Sequence, residues 1–103
     1  MLAESRVSLL RYAEAKSLYL KMIPVARRVL GESHNLTLKM RWSYATALYV
    51  DPSATLDDVR EAVTTLESVA PTWKRVFGGA HPETPKVHRA LANAREALAA
   101  RAA

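Results

Sequence analysis

The stretch "LGESHNLT" (Leu30–Thr37) returns later in the same chain as "FGGAHPET" (Phe77–Thr84). Each reads bulky apolar residue, glycine, two residues, histidine, two residues, threonine. Gly31 and Gly78, His34 and His81, and Thr37 and Thr84 are each separated by 47 positions. One shared glycine or histidine arises easily by chance, so a true repeat must extend beyond the marker. It does. Tyr12, Ala15, Tyr19, Met22, Ala26 and Val29 recur at alternating steps of three and four, the seam of an amphipathic helix. Forty-seven positions on stand Val59, Ala62, Leu66, Val69, Trp73 and Val76, all apolar or small. Glu14 maps onto Glu61, and Pro24 onto Pro71, both prolines well inside the helical pattern. A period of this length implies stacked helical hairpins, each with an apolar face that only a neighbour can bury.

The stop and start signals agree with that reading. Gly31 and Gly78 follow the last apolar residue of each seam, where a left-handed C-cap is needed. Arg27 with Arg28, and Lys74 with Arg75, fall in the last turn, against the negative helix end. Thr84 is read as an N-cap with Pro85 at the first helical position. Asn35 or Thr37 caps the equivalent helix in the first copy. "TLDD" (Thr55–Asp58) is a capping-box pattern, and "DPSAT" (Asp51–Thr55) is the turn before it. The spacing therefore predicts four helices, at about 3–30, 36–50, 56–77 and 84–101, with no competing strand pattern. Pro24 and Pro71 are expected to kink their helices. The fold class is all-α: a short right-handed α-solenoid of antiparallel hairpins. Residues 1–103 form one domain of about two 47-residue repeats, the last helix serving as a cap.

Composition sets outer limits. A chain of 103 residues, half of them hydrophobic, has room for one small core and is not a disordered chain. It has no cysteine, which excludes disulfides and thiolate metal sites. No apolar run reaches membrane-span length, and no continuous signal-peptide core opens the chain. Arg6, Arg11 and nearby serines suit an organelle presequence, but Glu4 and Glu14 count against it, so a cytoplasmic location is the default expectation. The net charge of +5 is lopsided: residues 1–50 hold eight lysines and arginines against three glutamates, while the second half balances. That favours an acidic partner.

In combination, these residues resemble the tetratricopeptide repeats of kinesin light chain and related proteins. "RYAEAKSLYLKMIPVARRVLGESHNLTLKMRWSYATALY" (Arg11–Tyr49) is similar to a helix opening "G-R-Y-x-E-A-x-x-L-Y" and closing "V-L-G-x-x-H-P-x-T", followed by the next repeat's first helix. The likeness extends through Thr84 and fades in the alanine-rich end. It implies a non-catalytic scaffold that binds a peptide or partner subunit. Three departures stand out. The glycine before Arg11–Tyr12 is missing. Asn35–Leu36 replaces Pro and an acidic residue. Where the family carries groove-facing asparagines, this chain has "WSYA" (Trp42–Ala45) and "RALA" (Arg89–Ala92).

No enzyme emerges, and no cofactor is expected. His34, His81 and His88 lack zinc-ligand spacing; His34 and His81 are read as hinge residues bonding the preceding helix's free carbonyls. Asp57 and Asp58 are adjacent in a first turn, where carboxylates favour the helix end rather than face each other. "FGGA" lacks phosphate-loop spacing. Trp73 lies on the seam and is assigned to the core. Trp42 either looks into a groove or packs against a neighbour. Lys39, Thr46 and Tyr49 share its helix face, and Lys86, Arg89 and Asn93 are the counterparts in the next copy. These seven residues are the candidate partner-binding set, suited to an acidic extended peptide. A basic nucleic-acid-binding surface (Lys16, Lys21, Arg27, Arg28, Lys39, Arg41) is the alternative. Membrane-surface attachment through the first helix is a third reading. Leu9, Leu10, Leu18, Leu20 and Ile23 lie off the first seam, so self-association or docking into a larger assembly is expected.

Overall fold

The computed structural model describes residues 2–51 and 54–102, with side chains described from Arg11 onward except that of Tyr12. The sequence expectations for Arg6, Leu9, Leu10, Tyr12 and the middle of the Asp51–Thr55 turn therefore lie outside the described residues. Four helices follow one another: α1 (Leu2–Leu30), α2 (Asn35–Val50), α3 (Leu56–Phe77) and α4 (Thr84–Ala102). No strand occurs among the described residues. Neighbours in sequence pack as neighbours in space, α1 on α2, α2 on α3 and α3 on α4, and α2 also touches α4. The molecule is an all-α helical repeat.

The glycines end the helices as expected in φ, at +94° for Gly31 and +86° for Gly78. At Gly78 ψ is 159°, so the residue leaves the helix in an extended, glycine-only region rather than a left-handed helical one. Its N–H still closes the last turn on the Lys74 carbonyl at 2.8 Å. Gly31 does the same to Arg27 at 3.1 Å. The Thr55–Asp58 capping box is fully formed, with both bonds at 3.1 Å. α1 and α3 continue through Pro24 and Pro71.

The repeated histidine and threonine work in the opposite sense to the expectation. His34 Nδ1 accepts the Leu36 N–H, and His81 Nδ1 accepts the Glu83 N–H, each at 3.1 Å. The imidazoles thus bond forward along the chain, His34 into α2 and His81 within the turn before α4, not to the carbonyls of the helix before. The threonines reach backward: Thr37 Oγ1 donates to the Ala26 carbonyl at 3.4 Å, and Thr84 Oγ1 to the Gly78 carbonyl at 2.8 Å. Both threonines are buried. Neither Asn35 nor Thr37 caps α2, and Thr84 does not cap α4. A hydroxyl enclosed against the end of the preceding helix bonds the backbone carbonyl within its reach there.

The core runs along α3. Val59, Ala62, Leu66, Val69 and Trp73 are fully buried between α2 and α4. The matching seam of α1 is not. Ala26 is buried, but Met22 and Val29 are exposed, and Ile23, placed off the seam by sequence, turns inward against Tyr44 and Leu48. The reason is the neighbourhood. α3 is gripped by helices on two sides, whereas among the described residues α1 has only α2 against it, so the helix rolls to present the single face that can be covered.

Candidate functional site

A groove of about 560 Å³ opens where α1, α2 and α4 converge. α2 supplies Trp42, Ser43, Thr46, Ala47, Tyr49 and Val50, successive positions on one helix face. α4 supplies Lys86, Arg89, Ala90 and Asn93 from the opposite wall, and α1 closes one end with Ala15 and Tyr19. Six of the seven residues singled out by sequence line this one groove: Trp42, Thr46, Tyr49, Lys86, Arg89 and Asn93. Lys39, one turn before Trp42, is exposed and does not line it. Ala15, Tyr19, Ser43, Ala47, Val50 and Ala90 were missed. Ala15 and Tyr19 belong to the first apolar seam, which reads as buried core until α1 is seen to have one free side.

Trp42 is both groove wall and packing element. It is half-buried, meets the fully buried Trp73 edge-to-face at a ring separation of 5.7 Å, and touches both apolar clusters of the core. Trp73 in turn packs on Phe77 at 4.5 Å and on the His81 ring at 5.7 Å. An aromatic stack therefore connects the interhelix turn to the groove. Such a wall is rigid, because the ring stacked behind Trp42 limits its rotamers. Thr46 Oγ1 donates to the Trp42 carbonyl at 3.0 Å, so its proton is engaged while its lone pairs remain toward the groove.

The electrostatics are one-sided. Lys86 and Arg89 are exposed, and no carboxylate is among the lining residues. Elsewhere the cations are partly engaged. Lys16 Nζ lies 3.5 Å from the buried Asp51 carboxylate, tying α1 to the end of α2. Arg27 pairs with Glu32 at 3.3 Å, and Arg95 with Glu67 at 3.1 Å. Burial, and then the nearby Arg27 charge, lower the pKa of Arg41. Of the six cations considered for nucleic acid, then, two sit in ion pairs and a third is partly withdrawn from solvent. Between α2 and α3 the Tyr44 hydroxyl donates to the Glu61 carboxylate. Burial, then that bond, push its pKa well above the ordinary tyrosine value.

Among the described residues no group of three histidine, aspartate or glutamate side chains is placed to hold a metal ion. Among those residues, too, no helix is long and apolar enough to cross a membrane.

The fold is that of a helical repeat. More particularly, the tetratricopeptide repeat family model matches residues 10–36, which take in most of α1, the turn that carries His34 and the start of α2. Tetratricopeptide repeats generally serve protein–protein interaction, and this chain is similar to one over that stretch. No curated protein and no solved structure matches the chain.

Proposed function

We propose that the groove between α2 and α4 binds an acidic, extended segment of a partner protein, with Trp42 as the anchor. The observation that carries this is the wall itself: a tryptophan fixed from behind by Trp73, facing Lys86 and Arg89 with no carboxylate between them. An aromatic face takes an apolar side chain or the peptide plane, and the two cations take carboxylates on either side of it. Asn93 and Tyr49 add polar atoms able to bond a peptide backbone. The role is recognition without catalysis.

The test is fluorescence anisotropy with two labelled peptide pools, one of alternating glutamate and apolar residues and one with lysine in place of glutamate. The acidic pool binds and the basic pool does not. Trp42→Ala and Arg89→Glu each weaken binding by about tenfold or more, and Val25→Glu on the far face of α1 leaves it unchanged. Equal binding of both pools, or indifference to both groove substitutions, would refute the proposal. Tight binding of a nucleic-acid duplex with a steep salt slope that the groove variants do not alter would favour the basic-surface alternative.

A further inference from the structure

α1 carries an apolar stripe that nothing else in the described structure covers. Leu18, Met22, Val25 and Val29 recur at steps of four, three and four, and are 55%, 38%, 47% and 68% exposed. Beside the stripe runs a second groove of about 380 Å³, bounded by Met22, Val25, Val29 and Leu30 of α1 and Met40 of α2, with Ala26 at its base. Lys21 is the one polar residue lining it.

The second half of the chain shows what such a groove holds. The counterparts of Met22, Ala26 and Met40, 47 positions on, are Val69, Trp73 and Val87, and all three are fully buried. Their cover comes from α2: Leu38 joins the same cluster, and Trp42 packs alongside it. Leu38 and Trp42 stand four residues apart on one helix face. α1 has no helix in the corresponding place among the described residues.

We propose that this face of α1 docks an acidic amphipathic helix of another protein, which presents a leucine and a tryptophan, or side chains of that size, one turn apart. Two features set the chemistry. Ala26 stands where the second copy has Trp73, so the receiving surface is hollow and the visiting helix must bring the bulk. The rim is cationic: Lys21 lines the groove, and Arg28 is exposed beside Val29, with no carboxylate in the lining.

A second copy of this chain fits less well. The counterparts of Leu38 and Trp42 on α4 are Pro85 and Arg89, so α4 cannot play the part that α2 plays. Pairing two α1 faces would bring the Lys21 side chains of both copies into one apolar interface whose lining holds no carboxylate to pair with them.

The experiment uses the full chain and a labelled synthetic peptide of residues 35–50 carrying Lys39→Glu and Arg41→Glu, followed by anisotropy. This peptide keeps the Leu38–Trp42 pair and makes its polar face acidic. Saturable binding is expected. Val25→Glu and Val29→Glu in the chain, both at exposed positions, each weaken it at least about tenfold, with helicity checked by circular dichroism. Trp42→Ala in the peptide does the same, while Arg89→Glu in the chain changes affinity by less than about twofold. The proposal is overturned by absence of saturable binding to the native chain, or by full affinity in both α1 variants. It is also overturned if Arg89→Glu abolishes binding, which would place the peptide in the α2–α4 groove. A dimer in light scattering that Val25→Glu dissolves would assign the face to a second copy instead.

Discussion

Replacing Thr84 by valine tests whether the repeated threonine holds each helix end to the next. Valine keeps the shape and removes only the hydroxyl. Thr84 is 4% exposed, and its Oγ1 donates to the Gly78 carbonyl at 2.8 Å, a good distance in a water-poor site. The carbonyl is not orphaned by the change, because the His81 N–H also reaches it, at 3.3 Å. The cost is therefore that of one net hydrogen bond, about 1 kcal/mol, without the larger penalty for an unsatisfied buried acceptor. For a domain of this size that lowers the melting temperature by about 4 °C. Thr37 supplies the internal control. Its bond is longer, 3.4 Å, and its acceptor, the Ala26 carbonyl, lies within α1, one turn before Leu30, where the helix ladder already engages it. Thr37→Val should cost under about half as much. Urea and thermal melts followed by circular dichroism, with both variants and the double variant, measure the two costs. If Thr37→Val proves as damaging as Thr84→Val, or if Thr84→Val is neutral, the hydroxyls are not what joins the helices.

Two further outcomes follow from the same geometry. Asparagine is a better N-cap than histidine, so His34→Asn should leave stability unchanged or raise it by a few tenths of a kcal/mol, about the spread among good caps. His81→Asn should lower it by about 1 kcal/mol, because the His81 ring also stacks on Phe77 at 5.0 Å and on Trp73 at 5.7 Å; equal effects in urea melts would show that the rings contribute nothing. The raised pKa of Tyr44 gives an alkaline signature. Its neutral phenol is favoured in the folded state by burial and by Glu61, so above the ordinary value of 10.0 the unfolded chain sheds this proton first and stability falls as pH rises. The drop in urea midpoint between about pH 9 and about pH 11 should be smaller in Tyr44→Phe than in the native chain, and an equal drop would assign the alkaline loss to other groups.

The helix boundaries were legible because their signals are local. A glycine at positive φ, a Thr–x–x–Asp capping box and basic residues in a last turn each act within four or five positions, whatever the tertiary structure. The groove was legible for a different reason. Positions three and four apart share a helix face, and a repeat translates that face onto the next helix, so Lys39, Trp42 and Thr46 point to Lys86, Arg89 and Asn93, while Tyr49 maps onto Glu96, which does not line the groove. What the sequence could not carry was which neighbours are present. The direction of the His34 and Thr37 bonds depends on which free donors and acceptors come within reach at the junction, and the residue pattern is the same either way. The inversion of Met22 and Ile23 is of the same kind. Both lie on apolar flanks of α1, and which one is buried depends on α2 being the only helix against it. One sequence pattern thus gives a closed core in α3 and an open face in α1. The repeat specifies surfaces suited to partners, and the number of partners present decides whether a surface is core or interface. That is why the face of α1 bearing Met22, Val25 and Val29, rather than the α4 end with its arginines and alanines, is where the chain's unmatched apolar surface collects.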